Sequence, residues 1–171
     1  HMPSKGWSLE DHVSVVLAAL DANPDLRLAV GSSFGAFALA IAAGRRAERD
    51  FRVVLMAPAI GIHEVWRAML GEEGMATWQE MGSLQYHHQG VGADVELPWA
   101  LWTQSKAAAG VALNHPTCIV HGLADATIPV EAALRVAKAS PGLRRFYAVP
   151  DGHRLLESLD VMAEAIELVL K

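Results

Sequence analysis

Five residues, Gly31-Ser32-Ser33-Phe34-Gly35, fit the pattern G-x-S-x-G. In that pattern the central serine sits on a sharp turn between a strand and a helix. The turn brings two backbones together, so a β-carbon at Gly31 or Gly35 is expected to clash. It also lifts the Ser33 hydroxyl clear of the strand ends and points the Phe34 N–H at a developing oxyanion. The pattern alone is a weak signal, and a plain structural turn is its alternative reading. Ser32 is off-centre and is expected to pack rather than react.

A nucleophilic serine needs a base, and the base needs an acid to orient it. Asp125 stands in His121-Gly122-Leu123-Ala124-Asp125-Ala126-Thr127-Ile128-Pro129, and His153 closes Pro150-Asp151-Gly152-His153. Read this way, Ser33 is the nucleophile, His153 the base and Asp125 the acid. Asp125 would otherwise serve as a turn or capping residue, and His153 as a surface histidine. Asp151 is the rival acid. It lies two residues before His153, badly placed to reach the far imidazole nitrogen.

The remaining polar candidates point elsewhere. His87 and His88 suggest a metal, but neighbours on a strand face opposite sides and cannot chelate one ion. No metal and no cofactor are expected, and no glycine-rich phosphate loop is present. His63 and His121 read as structural, His12 as solvent-facing, and Cys118 as a buried thiol in an apolar strand.

The elements that must position these residues alternate. A helix runs from Ser8 to about Ala22, opened by a Ser8/Asp11 capping box and striped by Leu9, Val13, Val16 and Leu20. Strands are predicted at Leu26–Val30, Arg52–Met56, Thr117–Val120 and Arg145–Val149. Helices follow at Phe34–Ala43, Val130–Ala139 and Leu155–Leu170. This order implies an α/β fold with a parallel sheet of about four strands, covered by helices on both faces. Ser33, Asp125 and His153 then all fall at the carboxyl ends of strands, where open α/β sheets place their sites.

Residues 61–113 interrupt the alternation and hold Trp66, Trp78, Trp99 and Trp102. Helices are predicted at Ile62–Leu70 and Glu72–Met81, with a hairpin from Ser83–Gln89 and Asp94–Leu97. An insertion of this length is expected to be a cap or lid within a single domain spanning 3–171. Its four tryptophans are candidates to line an apolar substrate pocket, or else to form the cap's own core.

Composition bounds the function. The chain has 171 residues, 52% of them apolar, and a net charge of −5, which speaks against nucleic acid as a partner. The lone cysteine suits a reducing cytoplasm. No apolar run reaches the ~18 residues of a membrane span.

Together, GSSFG, the H-G-x-x-D-x-x-x-P run of 121–129 and Gly152-His153 resemble the α/β-hydrolase family. GSSFG, the Trp78–Trp102 stretch with its QYHHQG, and DGHRLLESLD resemble more particularly the short YqiA/YcfP-like esterases. Ala36 departs from a glycine common in that branch. The resemblance covers Ser8 to the C-terminus and implies the C-terminal half of the hydrolase fold. It assigns Ser33, His153 and Asp125 their triad roles and implies a serine esterase acting on a small-molecule ester or thioester. An acyltransferase with the same nucleophile and an impaired scaffold are the alternatives.

In family members further strands precede the nucleophile strand, and a loop among them gives a second oxyanion donor. That donor is expected to be missing from its usual place. The nucleophile strand should then lie at a sheet edge beside an exposed Val13/Val16/Leu20 stripe, favouring a two-fold dimer through that edge. Folding back of Pro3–Trp7 over the edge would instead leave a monomer.

Overall fold

A computed structural model describes residues 8–88 and 92–171. Its first helix, α1 (Leu9–Ala22), opens with the expected reciprocal cap: the Asp11 N–H donates to Ser8 Oγ, and the Ser8 N–H to the Asp11 carboxylate. Caps of this kind stabilise a helix by about 1 kcal/mol. The strand β1 (Leu28–Ser32) follows, then α2 (Ser33–Gly44) and β2 (Arg52–Met56). Next come α3 (Ile62–Met81), the hairpin strands β3 (Ser83–His88) and β4 (Ala93–Pro98), and α4 (Trp99–Ala107). The chain finishes with β5 (Thr117–Gly122), α5 (Val130–Ala139), β6 (Leu143–Val149) and α6 (Leu159–Leu170).

Four strands form one parallel sheet in the order β1-β2-β5-β6. Side chains alternate across it, as strand geometry requires. Val53, Leu55 and Ile119 join Phe37 of α2 and Val136 of α5 in one core. On the other face Val54, Cys118 and Val120 pack with Ala165 and Val169 of α6. The sheet is thus covered on both sides. Every residue of β5 is buried, which fits a central strand without polar alternation.

Several boundaries differ from the sequence reading. β1 begins at Leu28 rather than Leu26 because the Leu26 N–H is spent on the Asn23 carbonyl in a turn. It also runs through Gly31 to Ser32, which stays in register with Met56. α6 begins at Leu159 rather than Leu155. The Asp151 carboxylate accepts the Glu157 N–H and the Ser158 hydroxyl, and Leu155 adopts a left-handed φ of 52°, so the helix cannot start earlier.

The apolar stripe of α1 is not exposed. Leu9, Val13 and Leu20 are buried against α2, whose residues from Ala36 to Ala40 are themselves buried. The expected dimer therefore loses one of its two motives. Among the described residues β1 lies at one edge of the sheet, with Val30 46% exposed. Pro3–Trp7 lie outside the described residues.

Within residues 61–113, Gly71 breaks α3 with a φ of 64°, dividing it where the sequence suggested two helices. The hairpin pairs Ser83 with Pro98 through His88 with Ala93, while its expected turn, including Gly90, lies outside the described residues. α4 was not foreseen. It is tied to the rest of the fold by the Glu10 N–H, which donates to Gln104, and by the Trp102 indole, which donates to the His63 carbonyl. Among the described residues no helix is long and apolar enough to cross a membrane.

Candidate active site

Ser33 opens α2 with a left-handed φ of 51°, a conformation that costs a non-glycine residue about 1–3 kcal/mol. The turn is held from outside: the Ala59 N–H donates to the Ser33 carbonyl at 3.0 Å. Gly31 is required by its neighbour, because a β-carbon there would lie 2.7 Å from Ala36 Cα. Gly35 is not. A β-carbon at Gly35 would meet nothing within 4 Å, so the expected clash holds at one glycine only. Ser32 is exposed rather than packed.

Three loops from three strands converge. Ser33 Oγ lies 2.8 Å from His153 Nε2, and His153 Nδ1 lies 2.7 Å from Asp125 Oδ2. The Asp125 side chain is fully buried, whereas His153 is 22% exposed. The second carboxylate oxygen, Oδ1, accepts the N–H groups of Thr127 and Ile128 at 2.8 and 2.9 Å. Burial pushes the Asp125 carboxyl up, but hydrogen bonds from His121, His153 and the Ile128 N–H outweigh it. The group is held well below the usual carboxylate range, ionised and unable to turn away. An imidazole between such a carboxylate and a hydroxyl can accept the hydroxyl's proton.

The loops bearing Asp125 and His153 are fastened to one another. The Ala124 N–H donates to the Asp151 carbonyl at 3.0 Å, and a β-carbon at Gly122 would fall 2.2 Å from that same oxygen. Asp151, the rival acid, is occupied otherwise. Its side chain accepts the Gly152 and Glu157 N–H groups and the Ser158 hydroxyl. It shapes the histidine loop and does not touch the imidazole's far nitrogen.

The Phe34 ring packs edge-on to His12, with centroids 4.8 Å apart, and to Phe37 at 6.2 Å. His12 is therefore half-buried beside the turn, not turned to solvent. The tryptophans form a chain of contacts: Trp66 on Trp78, Trp78 on Trp99, and Trp99 stacked on Trp102 at 4.8 Å. Trp66 and Trp78 are buried, so they have little surface to offer a ligand and act as core. Trp99 and Trp102 are half-buried. A cavity of about 340 Å³ lies instead beside the acid loop, between Gly61, Val65 and Ala68 on one side and Ala126, Thr127 and Ala132 on the other. Sequence reasoning missed this space.

His87 contacts Asp94 at 2.8 Å on the exposed hairpin, and the side chain of His88 lies outside the described residues. Among the described residues no cluster of histidine, cysteine or acidic side chains could hold a metal ion. Burial lowers the His63 pKa and pushes the Cys118 thiol up, away from thiolate chemistry. Sequence reasoning also missed the contact of His121 with Asp125, although the two are four residues apart in one motif.

The sequence matches the prolyl oligopeptidase family over residues 4–141. The chain belongs to that family, and so to the α/β hydrolases. Solved structures agree on the fold. An inferred hydrolase of Agrobacterium vitis S4 superposes with a TM-score of 0.79 at 24% identity, covering 96% of this chain and 69% of that one. A monoacylglycerol lipase of Paleococcus ferrophilus gives 0.76 at 14%, covering 97% and 76%. Est1E of Butyrivibrio proteoclasticus, solved with ferulic acid bound, gives 0.75 at 20%, covering 98% and 71%. No curated protein matches the sequence.

Proposed function

We propose that this hydrolase cleaves carboxylic esters or thioesters through an acyl-enzyme on Ser33. The observation that carries the reading is the continuous contact from Ser33 Oγ through His153 to Asp125, at 2.8 and 2.7 Å. Ser33 attacks the carbonyl carbon as His153 Nε2 takes its proton, and the Phe34 N–H faces the oxyanion. His153 then gives that proton to the leaving alcohol or thiol as the tetrahedral intermediate collapses. Water, deprotonated by the same nitrogen, attacks the acyl-enzyme and releases the acid with Ser33 restored. Residues 61–113 form the cap.

An active-site fluorophosphonate probe tests the reading without knowledge of the substrate. It should label the protein and fail on Ser33→Ala, and p-nitrophenyl butyrate should be hydrolysed by the first and not the second. Equal labelling of both would refute the assignment. Peptide hydrolysis is a second reading, favoured by the family match alone. A chromogenic prolyl peptide cleaved faster than the ester would establish it.

A further inference from the structure

His121 is buried completely in strand β5 after the apolar run Cys118–Val120, and the mechanism above does not use it. Its Nε2 lies 2.9 Å from the Ile128 carbonyl and 3.3 Å from Asp125 Oδ2. Both neighbours are acceptors, so Nε2 carries the ring proton, which it donates to the Ile128 carbonyl with the Asp125 carboxylate alongside. Nδ1 finds no partner among the described residues. A side chain present only to fill space would be leucine, which buries no orphaned nitrogen.

The contacts form a closed loop around the acid. Asp125 Oδ2 is hydrogen-bonded to His153 Nδ1 and lies 3.3 Å from His121 Nε2. Oδ1 receives the Ile128 N–H, and the carbonyl of the same Ile128 is held by His121. One ring on a rigid central strand therefore touches the carboxylate directly and, through Ile128, steadies the peptide that grips its other oxygen. The loop geometry would otherwise rest on His153 and the backbone N–H groups.

We infer that His121 is a positioning residue for the serine–histidine–aspartate site: it fixes the plane of the Asp125 carboxylate and, through it, the angle at which His153 meets Ser33. The inference rests on the triad reading. Misplacing a reacting group by a fraction of its working distance costs up to about 100-fold in rate, and substrate binding is untouched by it.

The test uses the full chain. Nitrogen-15 NMR of the wild-type protein should show the His121 proton on Nε2; a proton on Nδ1 overturns the inference without any variant. His121→Leu, checked by circular dichroism to be folded, should react with the fluorophosphonate about 10- to 100-fold more slowly. Its kcat on p-nitrophenyl butyrate should fall likewise with KM within about twofold, the signature of a lost transition-state alignment. His121→Gln keeps an N–H near Nε2 and should recover most of the rate. A leucine variant as fast as wild type, or a glutamine variant as slow as a folded leucine variant, overturns the inference and leaves the triad standing. Should His121→Leu not fold, the tautomer and the glutamine variant decide: a glutamine variant slowed about 10-fold or more counts against it. A wild-type protein that neither labels nor hydrolyses overturns the triad reading, and this inference with it.

Discussion

Replacing each glycine of the serine turn by alanine separates two functions of the same motif. At Gly31 the new β-carbon would stand 2.7 Å from Ala36 Cα, 3.0 Å from Ala36 N and 3.0 Å from the Gly35 carbonyl. All three are backbone atoms, so no side chain can swing aside and the first turn of α2 must move. Overpacking of this kind costs about 1–3 kcal/mol. In a domain of this size, each kcal/mol lowers Tm by about 2–4 °C, so Gly31→Ala should melt about 2–12 °C early. The displaced helix start carries Ser33, and labelling should slow by about 10-fold or more. Gly35→Ala meets open space and loses a flexible residue from a helix, worth about 0.5–1 kcal/mol of added stability. It should melt at or slightly above the wild-type temperature and label normally. Differential scanning fluorimetry and probe kinetics on the two variants side by side decide the matter. Equal behaviour, or a reversed order, would refute the close-approach argument for this turn.

Asp125→Asn should lower the hydrolysis rate by roughly 10⁴, whereas Asp151→Asn should lower Tm and spare most activity; the reverse order in a kinetic comparison would exchange their roles. Because folding holds the Asp125 carboxyl below its unfolded value, its stabilising contribution is complete above about pH 5 and lost as pH falls through the folded value. The Tm gap between wild type and Asp125→Asn should therefore narrow from pH 5 to pH 3, and a constant gap in a pH series of melts would count against it. Trp78→Ala should cost about 3–5 kcal/mol of stability, measurable by urea denaturation, since that ring is 1% exposed. Light scattering should give twice the 18.4 kDa chain mass if β1 edges pair, with Val30→Lys returning the single mass; a single mass for wild type defeats that pairing.

The sequence revealed most where local pattern and tertiary role coincide. Arg52–Met56 was read with its true bounds because Val53, Val54 and Leu55 face cores on both sides, leaving an unbroken apolar run. Val130–Ala139 was equally clear, with its apolar residues on one face. The meeting of Ser33, His153 and Asp125 was legible because a parallel sheet delivers every strand's carboxyl end to one side. Other features depend on contacts distant in sequence. The start of α6 is set by the Asp151 side chain, and α4 by partners at Glu10 and His63. An apolar strand pattern says nothing of a ring's direction, so His121 read as structural filling. The tryptophans stay ambiguous in sequence for a related reason: large apolar surface suits a pocket or a core, and the fold buries Trp66 and Trp78.

The strand order has a consequence for heat inactivation. Ser33 follows β1 and His153 follows β6, the two outermost strands of the sheet among the described residues. Strands about 4.8 Å apart place these edges about 14 Å from one another, so the serine–histidine contact is made by a loop that crosses the ends of the strands between. Edges fray before centres do. A small splaying of either outer strand parts Ser33 from His153 while β2 and β5 remain paired. On warming, esterolysis should therefore fail some degrees before circular dichroism records melting, and an acyl group or inhibitor touching both residues should bring the two temperatures together.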